Sequence, residues 1–145
     1  TRKESSAASD VYKRQQQYRA AEVYLMRLPD GTSAKKKAPY IIHQAITSRD
    51  VQPAGERERG VAVVRSIFAV YSGDEQEGGL MLLNLMERLR IRLLRQVVIG
   101  RRYQLDLEAG LETFIYPDDT APYFAGEMTT TWRVPGVERE VAEWQ

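Results

Sequence analysis

Hydrophobic and polar positions alternate with period two in several short segments, and with helical period in one long one. Residues 21–28 (AEVYLMRL) alternate Val23 and Leu25 with Tyr24 and Met26, which predicts a strand. Pro29-Asp30-Gly31 ends it as a turn. Residues 39–47 (PYIIHQAIT) predict a second strand, with Tyr40, Ile42 and Ile46 on one face and Ile41, His43 and Ala45 on the other. Residues 61–71 (VAVVRSIFAVY) are β-branched or apolar on both faces, the pattern of a central strand. Between these two, residues 48–60 carry Pro53, Gly55 and the run Glu56-Arg57-Glu58-Arg59, and predict a long exposed hairpin loop.

The helical segment follows Ser72-Gly73. Asp74 and Glu77 have the spacing of a capping box. Gly78 and Gly79 weaken the first turn by roughly 1 kcal/mol each. The period continues to about Ile99, and Gly100 is placed to stop the helix. At 100° per residue the segment shows three stripes. Leu82, Leu85, Met86, Leu89, Leu93 and Val97 form the face expected to pack on a sheet. Leu80, Ile91, Leu94 and Val98 form a second apolar stripe, and Asn84, Arg88, Arg92 and Arg95 a polar, basic one. A helix lying on one sheet needs one apolar face, so the second stripe needs another partner. A subunit interface, a lost N-terminal helix, or the tail through Val137, Val141 and Trp144 would each supply it.

Beyond Gly100, residues 103–107 and 111–116 predict short strands, and residues 117–122 (PDDTAP) a turn-rich loop. Residues 125–134 alternate cleanly, with Met128, Trp132 and Val134 inward and Glu127, Thr129, Thr131 and Arg133 outward. The expected fold class is α+β, a mostly antiparallel sheet with one long amphipathic helix on one face. Residues 16–145 are read as a single domain, truncated at its N-terminus.

Composition narrows the function classes. The chain has 145 residues, no cysteine, and 21 basic against 20 acidic residues for a net charge of +1. There is no disulfide framework or thiolate site, and bulk charge gives no argument for nucleic acid. No apolar run approaches the ~20 residues of a membrane span. The sole histidine, His43, lies in a strand, where a structural role is the usual one. No nucleophile elbow, Walker A loop or dinucleotide fingerprint is present. Asp118-Asp119 supplies two hard oxygen ligands or simply a turn, and Lys35-Lys36-Lys37 a solvated loop tip or a phosphate contact. The arginine stripe, extended by Arg101-Arg102, faces solvent, phosphates, or carboxylates such as Glu138, Glu140 and Glu143. The expectation is no catalytic residue, no cofactor and no metal. An enzyme using His43 with Asp118 or Asp119 is the remote alternative.

Two resemblances add to this. Residues 10–15 (DVYKRQ) resemble one reading frame of the transposon end used in short-read library preparation. Residues 1–15 are therefore expected to be a non-native leader. From Ile67 the chain reads IFAVYSGDEQEGGLMLLNLMERLRIRLL, then RRYQLDLEAGLETFIYPDDTAPYFAGEMTTTWRVPGVERE. This resembles the small tail-terminator, or tail-completion, neck proteins encoded by phages and prophages of Gram-positive bacteria. The likeness spans roughly residues 21–143 and is most specific over residues 116–132. It implies a homo-oligomeric ring, commonly hexameric, that caps the tail tube and joins it to the head connector. It further implies a place in the virion tail or neck, assembly in the host cytoplasm, no cofactor and no membrane. Such proteins usually begin with a helix, which this sequence lacks. The alternative is a head-completion protein touching portal and DNA through Arg88, Arg92 and Arg95.

Overall fold

The computed structural model describes residues 21–29, 38–117, 121–138 and 140. In chain order the elements are β1 (Glu22–Leu25), β2 (Tyr40–Val51), β3 (Arg59–Tyr71), α1 (Glu75–Gln96), β4 (Val98–Ile99), β5 (Tyr103–Leu105), β6 (Leu111–Ile115) and β7 (Tyr123–Pro135). They form a seven-stranded sheet in the order β1-β2-β3-β7-β5-β4, with β6 also on β7. Among the described residues β1 and β2 run parallel and the other pairings are antiparallel. The α+β class expected from the pattern is what the chain adopts, and β3 is interior, as its two apolar faces require.

The register assigns the two faces. Ile41 lies opposite Phe68, and Phe68 opposite Gly126. Ile41, Phe68, Val70, Leu105 and Met128 pack with Leu82, Met86 and Leu93 of α1 in one core. The expected inner helical face is therefore the buried one. On the other face Tyr40, Ile42 and Ala69 form a second cluster with Tyr24, Leu28, Ile67 and Tyr71. Thr130 is buried in the strand centre, where its hydroxyl accepts from Trp132 Nε1 at 2.9 Å and donates to the Val64 carbonyl at 3.4 Å.

Local expectations failed at four places, each for a physical reason. The connector is shorter than residues 48–60, because β2 runs on to Val51 and β3 begins at Arg59. Pairing with β3 carries Ser48, Arg49 and Asp50 into the strand despite their polarity. Ile46 does not share the face of Tyr40 and Ile42: the register shifts between Ala45 and Thr47, and Ile46 is left exposed.

The capping box is half formed. Asp74 Oδ1 accepts from the N–H groups of Gln76 (2.9 Å) and Glu77 (3.2 Å), but the Asp74 N–H donates to Ser72 Oγ. The helix also stops short of Ile99. Val97 caps it at φ 59°, a region β-branched residues rarely adopt, and donates its N–H to the Leu93 carbonyl at 2.8 Å. The chain turns there because Val98 and Ile99 pair with Gln104 and Tyr103. Gly100 serves that hairpin: it and Arg101 take φ 61° and 60°, and Arg102 N–H donates to the Ile99 carbonyl.

The two first-turn glycines differ. A Cβ on Gly78 would run into the Phe124 ring, whereas one on Gly79 would meet nothing within 4 Å. Gly79→Ala is expected to stabilise by about 0.5–1 kcal/mol through helix propensity. Gly78→Ala gains the same propensity but must displace a packed ring, and is expected to be net destabilising. Urea denaturation of the two variants should give midpoints shifted in opposite directions.

Candidate functional site

The outer surface of α1 carries apolar side chains that the core does not use. Leu80 is 62 % exposed, Leu83 49 % and Ile91 38 %. Of the four residues expected there, Leu80 and Ile91 stand on this surface. Leu94 instead packs against the core cluster, and Val98 belongs to β4, where it is exposed beside the hairpin. Both departures follow from the helix: Leu94 lies toward the core-facing side of the stripe, and the early stop at Gln96 removes Val98 from it. Leu83 was missed because it sits at the stripe's margin. Glu87 crosses the stripe, held by Arg90 at 2.7 Å.

Arg88, Arg92 and Arg95 are exposed and line one shallow groove with Ile91 and Gln96. They form no ion pair among the described residues. Glu138 and Glu140 are exposed and do not pair with them. Val137 is 79 % exposed, so it does not cover the helix. Residues 1–15, Lys35–Lys37, Asp118, Asp119, Val141, Glu143 and Trp144 lie outside the described residues.

A second groove runs between the N-terminal half of α1 and the β6–β7 hairpin, lined by Leu82, Leu83, Ile115, Pro117 and Phe124. Beside it, β6 exposes Phe114 and Ile115.

On the sheet face away from α1, polar side chains bridge five strands or strand ends. Gln44 Nε2 donates to the Met26 carbonyl at 2.9 Å, and Arg65 donates twice to Gln44 Oε1, at 3.1 and 2.8 Å. Arg65 reaches Glu127 at 3.9 Å, and Glu127 accepts from the Tyr116 hydroxyl at 3.3 Å. Burial, then the Glu127 carboxylate, hold the Tyr116 hydroxyl above the ordinary tyrosine range. The sequence carries no local signal for this bridge, because its partners come from five strands or strand ends.

His43 is half-buried on the helix side of the sheet, its Nδ1 2.7 Å from Ser66 Oγ. Burial lowers its pKa below 6.5. The unfolded chain therefore takes up a proton at higher pH than the fold does. Stability is full above about pH 6.5 and falls as pH drops below it, at no more than about 1.4 kcal/mol per pH unit. His43→Gln should flatten that slope in urea denaturation between pH 7.5 and 5.5. Asp106 behaves separately. The Ala109 N–H foremost, with help from Arg133 at 3.6 Å, lowers its pKa, so its contribution is lost only in the acid range below the ordinary carboxylate value.

Among the described residues no group of three or more His, Asp or Glu side chains is placed to hold a metal ion. No helix among them is long and apolar enough to cross a membrane. No protein-family model matches the chain, and no curated protein matches it.

Proposed function

We propose that this chain is a structural subunit of a phage neck, a tail terminator that forms a ring on the tail tube and joins it to the head connector. The observation that carries the reading is the surplus apolar surface of α1. Leu80, Leu83 and Ile91 lie on one side of a helix whose opposite face already fills the core. Exposed apolar surface of this kind is the mark of a partner. The resemblance of residues 116–132 to tail-completion proteins supplies the class of assembly. The surface excludes water on assembly, and no chemistry is asked of the subunit.

The test is the mass of the full chain in solution, by native mass spectrometry and light scattering, with images of the particles. The expected result is a closed oligomer with a central opening. The paired substitution Leu80→Asp with Ile91→Asp should weaken assembly or tail joining at least tenfold, about 1.4 kcal/mol, while leaving the circular dichroism spectrum unchanged. A monomer at high concentration overturns the reading.

A second reading has its own observation, the groove that gathers Arg88, Arg92 and Arg95 around Ile91. In a head-completion protein these arginines would face portal or DNA phosphates. Charge reversal at all three would then abolish head–tail joining with the oligomer intact.

A further inference from the structure

The helix α1 ends earlier than its own sequence asks. Helical spacing runs on from Gln96 to Ile99, and Gly100 follows in the place of a helix-ending glycine. The helix nevertheless stops at Gln96, on Val97 at φ 59° and ψ −47°. That conformation lies close to the γ-turn of positive φ, which is rare and strained, and a branched Cβ adds to the strain. Gly100 already holds φ 61°, the left-handed conformation that a helix end uses.

We propose that α1 has two ends: the short one of the single chain, and a longer one, through Ile99 to Gly100, that forms when a second copy covers its outer surface. The inference rests on the ring reading above and adds how that contact is switched on.

What holds the short end is slight. Among the described residues β4 pairs only with β5, Val98 with Gln104 and Ile99 with Tyr103. Val98 is 43 % exposed, Ile99 36 % and Tyr103 44 %, so the hairpin buries little apolar surface. β5 has an anchor of its own. Leu105 is buried in the main core and pairs with Trp132 of β7. β4 is therefore free to leave without taking β5 off the sheet.

Backbone hydrogen bonds are exchanged rather than lost. Release breaks the bond from the Leu105 N–H to the Val97 carbonyl, the bond from the Arg102 N–H to the Ile99 carbonyl, and the short β4–β5 ladder. The Val97 N–H already bonds the Leu93 carbonyl, as it would inside a helix. Lengthening adds bonds from the Val98, Ile99 and Gly100 N–H groups to the Leu94, Arg95 and Gln96 carbonyls. The strain at Val97 and the cover on the helix then decide between the two ends.

Helical geometry gives a neighbour its leverage. Val98 comes eighteen residues after Leu80, five whole turns, and seven after Ile91, close to two turns. In the longer helix Val98 stands in line with exposed Leu80 and Ile91. In the short form it belongs to β4 and is out of that line. A second copy resting on the stripe gains contact with Val98 only when the helix lengthens. A contact made in one state and not in the other is what shifts such an equilibrium. The free chain withholds part of its contact surface until a neighbour arrives.

Two variants bias the ends in opposite directions. Arg101 takes φ 60°, which proline cannot adopt, whereas proline just past a helix-ending glycine is common. Arg101→Pro should therefore forbid the hairpin and lengthen the helix. Backbone carbon chemical shifts should be extended at Val98 and Ile99 in the free wild type and helical in the variant. Non-helical shifts in the folded variant overturn the second end, and so does loss of the fold, which would make the hairpin indispensable. For the opposite bias, the chain has no cysteine, so Val98→Cys with Gln104→Cys closes one disulfide across β4 and β5. Opposed residues of an antiparallel pair are ~4.5–5.5 Å apart at Cα, within disulfide reach. The oxidised double variant should assemble at least tenfold more weakly than the same protein reduced, with an unchanged circular dichroism spectrum. Equal assembly in the two redox states overturns the switch and leaves the ring reading standing. A wild type that stays monomeric at high concentration overturns the ring reading and the trigger with it.

Discussion

Phe68→Ala lowers the free energy of unfolding by about 3–5 kcal/mol, as expected for a phenylalanine removed from a packed core. Phe68 is fully buried in the C-terminal part of β3, between Ile41 and Gly126 across the sheet, in the cluster that includes Leu82 and Met86. Both neighbouring strands are hydrogen-bonded to β3 along their length, so the backbone cannot collapse into the space left behind. The loss is a large share of the 5–15 kcal/mol typical of a domain. Phe68→Leu, which keeps much of the volume, should cost substantially less. Urea denaturation measures both. A cost for alanine below about 1 kcal/mol would mean that the helix does not rest on this strand.

The second large effect is at Gly126. A Cβ there would lie 2.9 Å from the Phe114 carbonyl oxygen and 3.0 Å from Met86 Sδ. The thioether can swing away at little cost. The carbonyl cannot, because it belongs to the ladder between β6 and β7. Gly126→Ala should therefore destabilise by about 1–3 kcal/mol, and Gly126→Val by more, the opposite of the strand propensity scale, where valine is favoured. Hydrogen exchange should show the protection lost first at β6.

The parts of the fold legible in the sequence are those fixed by a long run of local pattern. Val61–Tyr71 is apolar on both faces, and it lies between β2 and β7. Leu82, Met86 and Leu93 repeat at helical spacing, and they are the buried ones. Features set by a distant partner were not legible. Gly78 looks like a propensity penalty until Phe124 is seen against it. Gly100 looks like a helix stop, yet the stop is Val97, imposed by the pairing of Val98 and Ile99 with β5. Ser48, Arg49 and Asp50 have loop chemistry and are held in a strand by β3. For the candidate surface, Leu80 and Ile91 were visible as surplus apolar positions. The polar bridge through Gln44, Arg65 and Glu127 was not, since it is a property of strand order and not of any segment.

β3 and β7 are joined through thirteen successive residue pairs. A force that pulls the sheet apart across its strands is shared along that whole seam, whereas four residue pairs hold β1 to β2. Opening under load is expected to begin between β1 and β2, and the β3–β7 seam to be the last to part.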